Sequence, residues 1–333
     1  MKGGKYINEG YRGHTYDLYN EEDNIDFYSK FKTDNPDYII LYALNRVFHI
    51  NISDNEDKDE DENIYNEKME LILGLFRQKK NFIVKEFKRG NLLLGNGRYN
   101  FRCELKSIKK IAKIYGSKLD YYTTIKSIFK YKDIDIYGIS YENKYYIFQE
   151  KCYKTLDKIN FTQDEFNKFI AEIYESLLIL QKNTFIHNDI KPENIIYCNN
   201  RYKLIDWDLS YSGYNHFIAF TKGSGGNFNF NHPVKFYNLG LSIFIYNFFY
   251  MFFKNYDYTS YEWLFNLKSY KLIEEKRMES LNLLIETNKT KHLSKYYDMY
   301  SFAMLIICLA EKNNLTYSKS FVNKLFAPFK ITI

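Results

Sequence analysis

Cysteine is scarce. The 333 residues hold four, Cys103, Cys152, Cys198 and Cys308. They lie far apart, with no CxxC pair and no accompanying histidine spacing, so no structural zinc site is expected. A disulfide framework is not expected in a chain this long, so reduced thiols in a cytosolic setting are the simplest reading. A large charge excess is missing too. The net charge is +6, from 47 basic and 41 acidic residues. The basic residues are scattered, as in KSIKKIAKIYGSK at 106–118, which reads as a helix with a solvated face. Without a clustered basic stripe, no nucleic-acid partner is expected. The opening residues MKGGKYINEG have no apolar h-region, so no secretory signal is expected. Proline is as scarce as cysteine, 4 residues against 34 Tyr and 28 Phe. With Asn, Ile and Lys also abundant, that bias reads as the imprint of an AT-rich genome. Single aromatic residues therefore carry little functional signal.

What is present supports a folded chain of one large domain or two lobes, with 45% hydrophobic residues. The front alternates short strand-like runs with turns: KYI (5–7), DYIILYAL (37–44), VFHINI (47–52). An acidic run, SDNEDKDEDEN (53–63), reads as a solvated loop. NFIVKEFK (81–88) is a strand-like run carrying Lys85. FRCELKSIKKIAKIY (101–115) then has Leu105, Ile108, Ile111, Ala112 and Tyr115 near helical spacing. DIDIYGISYE (133–142) and KYYIFQEKC (144–152) read as strands about a turn at Glu142 and Asn143. After 152 the texture becomes helical. TQDEFNKFIAEIYESLLILQKN (162–183) starts with a capping threonine and keeps Phe166, Phe169, Ile170, Ile173, Leu177 and Leu180 on one face. A strand-rich front and helix-rich back suggest two unequal lobes.

Two stretches carry chemistry: HNDIKPENII at 187–196 and KLIDWDLS at 203–210. Phosphoryl transfer needs a carboxylate near the attacking hydroxyl, a cation near the transferring phosphate, and oxygen ligands for magnesium. Asp189, Lys191 and Asn194 supply these within six residues, and Asp206 follows on an apolar run. Together the two stretches resemble the catalytic loop and metal-binding motif of the protein kinase family, H-R-D-x-K-x-x-N and D-F-G. The resemblance implies an α+β, bilobal protein-kinase-like fold, with a small β-rich N-lobe (1–150, insertion around 17–80) and a larger helical C-lobe (151–333, insertion around 234–296). It implies ATP and Mg2+ as cofactors and a protein substrate. Asp189 would be the catalytic base, Lys191 the γ-phosphate contact, and Asn194 and Asp206 the metal ligands. His187 would be structural.

The same resemblance pairs Lys85, on a strand ending IVK, with Glu104, early in a helix 19 residues on. Lys30 and Lys32 are rivals for the strand lysine. In INEGYRGHTY (7–16), Gly10 and Gly13 fit the glycine-rich loop, while Asn8 and Thr15 replace Gly and Val. Gln149, Glu150 and Cys152 in FQEKC stand where the hinge backbone would bind adenine. Asp298, in YDMYSFAMLIICL (297–309), would anchor the catalytic loop from below. A bilayer crossing through the uncharged run 236–253 would put Asp206 and Asp298 on opposite sides of the membrane. Burial of that run is therefore expected, with lipid contact the alternative.

The pattern departs from the family in places. Asn188 replaces the arginine that meets a phosphorylated activation loop. Asp208 replaces the glycine of D-F-G and would restrict that turn. Pro233 is followed by Val234 rather than the family's glutamate, and Thr221 and Ser224 are hydroxyls in the same region. The texture resembles kinases of large DNA viruses, which implies action in a host cytoplasm or virion. Lys191 points to Ser/Thr specificity, and a monomer is expected. Two other functions fit parts of the pattern: a non-catalytic kinase-fold scaffold, and a small-molecule kinase resembling choline or aminoglycoside kinases, which HND and IDWD echo.

Overall fold

The structure, a computed structural model, describes residues 6–10, 13–17, 82–87, 97–127, 129–131, 134–141, 144–152, 154–213, 229–237, 258–290 and 293–333. The expected strands at 37–44 and 47–52, the acidic run, Lys30, Lys32, the turn at Glu142 and Asn143, Thr221, Ser224 and most of 236–253 lie outside the described residues. Among the described residues, no helix is long and apolar enough to cross a membrane.

The chain divides into two units: Met1–Ala112 with Thr124–Lys151, and Lys113–Thr123 with Cys152–Ile333. Helix α1 (Gly97–Tyr115) begins in the first unit and ends in the piece Lys113–Thr123, which also holds the single turn α2 (Leu119–Tyr122). Two hydroxyls tie that piece into the second unit. Tyr115 shares a 2.7 Å hydrogen bond with Ser176, and Tyr122 donates to Glu175 at 2.7 Å.

The first unit holds an antiparallel five-stranded sheet. Strands β1 (Tyr6–Gly10), β2 (Gly13–Asp17), β3 (Phe82–Phe87), β6 (Gly138–Tyr141) and β7 (Lys144–Glu150) run in the order β1-β2-β3-β7-β6. The expected strand 133–142 is broken. Its first part, β5 (Ile134–Ile136), pairs instead with β4 (Phe129–Tyr131), and Tyr137 is buried at the break. Helix α1 buries Phe101, Glu104, Ile108, Ile111 and Tyr115, a three-four spacing that makes one stripe. Leu105 and Ala112, expected on that face, are only half-buried, so the buried face is turned toward Glu104.

The second unit is built on a helix buried on every side. In α7 (Tyr297–Lys312), Tyr297 through Ala310 are all buried. A helix apolar all round belongs at the centre of a core. It packs against α3 (Gln163–Lys182), α6 (Lys268–Glu286) and α8 (Lys319–Phe326). Two shorter helices precede α6 in the chain, α4 (Val234–Tyr237) and α5 (Tyr258–Phe265). The expected cap is seen at α3: Thr162 Oγ1 accepts from Glu165 N–H, while the Glu165 carboxylate accepts from Thr162 N–H. Phe169 of α3 meets Phe302 of α7 edge to face, 5.8 Å between ring centroids.

Beside this core the chain folds into short strands that place two loops together. β9 (Phe185–Ile186) leads into residues 187–194, β10 (Ile195–Cys198) and β11 (Arg201–Leu204) form a hairpin, and β12 (Tyr211–Ser212) returns to pair with β9. The hairpin turn is Asn199-Asn200, with φ of 49° and 59°. Positive φ at both central residues suits a two-residue hairpin, and asparagine tolerates it better than most residues. The reading of four reduced thiols needs correction. Cys152 and Cys198 form a disulfide across 5.3 Å between Cα atoms, because β10 pairs with β8 (Lys154–Thr155) and draws the two cysteines together. Cys103 and Cys308 stay free.

Candidate active site

In the first unit the period of two along β3 puts Lys85 on the same face as Phe87. Phe87 packs edge to face on Phe101 of α1, 5.9 Å between centroids. Glu104 lies one helical turn beyond Phe101, so its carboxylate meets the Lys85 ammonium at 2.8 Å. The Glu104 side chain is 0% exposed and that of Lys85 15%. β3 is bracketed in register by β2 and β7, with Lys85 opposite Thr15 and Ile147.

Gly10 and Gly13 pair across the end of the β1–β2 hairpin. On β7, Gln149 is buried opposite Ile83, and Glu150 donates its N–H to the Thr124 carbonyl at 2.7 Å. That N–H is therefore already engaged and does not offer itself to an adenine edge. The Cys152 sulfur is bonded to Cys198, so among hinge candidates it has only its backbone to contribute.

In the second unit the 187–194 loop closes around Asp189. Its carboxylate meets Lys191 Nζ at 2.9 Å and accepts from Asn194 Nδ2 at 2.8 Å. The same amide donates to the Asp189 carbonyl at 2.9 Å. Asp189 and Asn194 are buried, and Lys191 is half-buried. Burial pulls the Lys191 pKa down, but Asp189, then Asp206 and Glu193, outweigh it and hold the ammonium above its ordinary range.

Asp298 grips the loop from α7. Its two carboxylate oxygens accept from the N–H groups of His187 at 2.7 Å and Asn188 at 2.8 Å. Burial pushes the Asp298 pKa up, while His187, the two N–H groups and Lys235 pull it back. His187 Nε2 lies 3.0 Å from the Ile205 carbonyl, and its ring sits 4.4 Å from that of Trp207. His187 thus ties the two loops together. Ile205 N–H donates to the Asn194 carbonyl at 3.0 Å, which keeps Asp206 close to Asn194. An amide oxygen and a carboxylate are hard donors of the kind magnesium takes, so this pair fits that ion.

The turn after Asp206 differs from its expectation. Asp206 itself has a φ of 65°, whereas Asp208 is not among the residues with positive φ. The restriction expected at Asp208 does not arise, because the left-handed residue is two positions earlier. Asp208 is buried in the following turn, and Trp207 is fully buried.

Sequence reasoning missed Lys235. It is buried on α4, and its ammonium donates to the Asn188 carbonyl and to Asn231 Oδ1, each at 3.1 Å. Burial pushes its pKa down to about 8, against the pull of Asp189 and Asp298. The available signal was a lone charge between Pro233-Val234 and an apolar run.

Residues 102–220 match the protein kinase domain family, less than half of the chain. That stretch includes Glu104, Asp189, Lys191, Asn194 and Asp206, but neither Lys85 nor Asp298. No curated protein matches the chain. One similar solved structure is that of the yeast RNA polymerase II CTD kinase CTDK-1 complex, 13% identical with a TM-score of 0.38. The match covers 69% of this chain and 55% of that one, so the chain spans little more than half of its length. The fold is α+β and protein-kinase-like, with a strand-rich first unit and a larger helical second unit.

Proposed function

We propose that the chain is a protein kinase that transfers the γ-phosphate of ATP, with magnesium, to Ser or Thr hydroxyls of a protein. One observation carries this reading. Within the stretch that matches the protein kinase domain, a buried carboxylate, Asp189, is held between Lys191 and Asn194 on a loop gripped by Asp298.

In this reading Asp189 orients the substrate hydroxyl and takes its proton as the new O–P bond forms and the bond from Pγ to the β,γ-bridging oxygen breaks. Lys191 stands beside Asp189, where its charge offsets that gathering on the transferring group. Lys85, steadied by Glu104, holds the α- and β-phosphates. Gly10 and Gly13 let backbone approach the phosphates. Asn194 and Asp206 hold magnesium, which when bound neutralises phosphate charge. The spacing of Lys191 from Asp189 supports Ser/Thr specificity. A monomer acting in the cytoplasm, of a host if the source is viral, accords with the scattered charge and the sequence texture. The Cys152–Cys198 bond is at odds with a strongly reducing compartment.

The test offers the protein magnesium-ATP with mixed protein substrates and, separately, small alcohols such as choline and aminoglycosides. The expected product is phosphoserine and phosphothreonine. Turnover of a small alcohol alone would overturn the reading.

A further inference from the structure

We propose that Lys235 is a positioning residue for Asp189, a built-in cation that sets the catalytic loop without any phosphorylated residue. The inference rests on the kinase reading above. Asn188 immediately precedes Asp189, so its backbone sets where the Asp189 carboxylate points. Its φ is 73°, a left-handed conformation that persists when the surroundings over-determine it. Three bonds do so. Asp298 accepts from the Asn188 N–H at 2.8 Å, the Asn188 side-chain amide donates to the Leu209 carbonyl at 3.3 Å, and Lys235 donates to the Asn188 carbonyl at 3.1 Å. An anion at the N–H and a cation at the C=O of one residue match the dipoles of its two peptide groups.

Lys235 is itself fixed. Asn231 Oδ1 accepts a second bond from its ammonium. His232 Nδ1 accepts from the Val234 N–H, so the other ring nitrogen carries the proton and donates to Ser280 of α6. Asn229 accepts from the Tyr270 hydroxyl, also on α6. A buried ammonium costs free energy unless it is paired and hydrogen-bonded. Here it donates to two oxygens and feels the charges of Asp189 and Asp298, and one of its bonds ends on the residue next to the candidate base. The loop has Asn188 where the resembling family has a phosphate-binding arginine, so the ordering charge comes from within the fold.

The test compares wild type, phosphatase-treated wild type, Lys235→Met and Asn231→Ala. Each is checked for folding by circular dichroism and for amide exchange in the 186–190 backbone by mass spectrometry. Phosphatase treatment should leave kcat unchanged. Lys235→Met should lower kcat by about 100-fold with little change in the KM for ATP, as expected for a misplaced base. Exchange at 187 and 188 should rise at the same time. If Lys235→Met fails to fold, Asn231→Ala, which removes only the second acceptor, should still lower kcat, by roughly tenfold. Wild-type kcat and exchange in folded Lys235→Met would overturn the inference, as would loss of activity on phosphatase treatment that returns on rephosphorylation. A wild type without turnover sinks the kinase reading instead. Exchange then decides the positioning role by itself: faster exchange in the variant supports it, and unchanged exchange overturns it.

Discussion

The two lysine–carboxylate pairs have nearly equal lengths, 2.8 Å for Lys85–Glu104 and 2.9 Å for Lys191–Asp189, but they are positioned in different ways. In the first, regular structure sets the geometry. β3 and α1 pack through Phe87 and Phe101, and the charged ends meet because their periods place them there. In the second, Asp189 lies on a loop with no such period. Its position depends on Asp298, Lys235, His187 and Ser210, whose hydroxyl donates to the His187 carbonyl at 3.1 Å. A strand and a helix can aim a side chain with one ion pair. A loop needs a buried polar network, and a change far along the chain can disturb it.

The largest expected effect tests the loop at its centre. Asp189→Asn keeps the size of the side chain but removes the base, and kcat should fall by about 1,000-fold. Steady-state phosphotransfer measures it. Next, Asp298→Ala should leave the N–H groups of His187 and Asn188 buried without their acceptor. Denaturant unfolding should show a loss of about 3 kcal/mol, with turnover falling too. In the first unit, Lys85→Met combined with Glu104→Gln, which leaves no buried carboxylate without its countercharge, should lower kcat/KM by about 100-fold through lost phosphate contact while stability changes much less. That contrast between stability and activity would sharpen the difference between the two pairs. If that double variant destabilised the chain as much as Asp298→Ala, the difference would vanish.

The smallest effect is in pH. The folded pKa of Lys235, about 8, lies below its ordinary 10.5. Its ammonium is therefore lost as pH rises through about 8, and kcat should fall over the same range. Asp189 and Asp298 face this ammonium, while nearby Arg277 stays charged and burial keeps His232 neutral, so neither changes charge in that window. The unfolded chain holds the lysine proton until about 10.5, so between the two values it binds more protons than the folded chain. The stability contribution from this group rises with pH across that interval. A pH profile of kcat and of unfolding free energy, wild type against Lys235→Met, checks both signs.

Much of this was legible in the sequence where period or motif applied. The capped helix at 163–182 and the β3 strand follow from apolar spacing, and the Asp298 helix from the family resemblance. HNDIKPENII marks the loop by residue type alone. Three features were not legible. The face of α1 turned toward Glu104 because burying a charged pair with Phe101 overrode the pattern of Leu105 and Ala112. Cys152 and Cys198 are 46 residues apart, and only the pairing of β8 with β10 brings them together. Lys235 contacts Asn188 across 47 residues. Such contacts are set by tertiary packing and leave no periodic trace.

A working nucleotide site is what the proposed function needs above all. The measurement is a thermal-shift titration with ATP, with and without magnesium, on wild type and Asp206→Asn. A ligand that binds only the folded chain raises the midpoint as its concentration passes its dissociation constant. Wild type should show a magnesium-dependent rise that Asp206→Asn abolishes. No shift at any ATP concentration, or an equal shift in the variant, would contradict the proposed site.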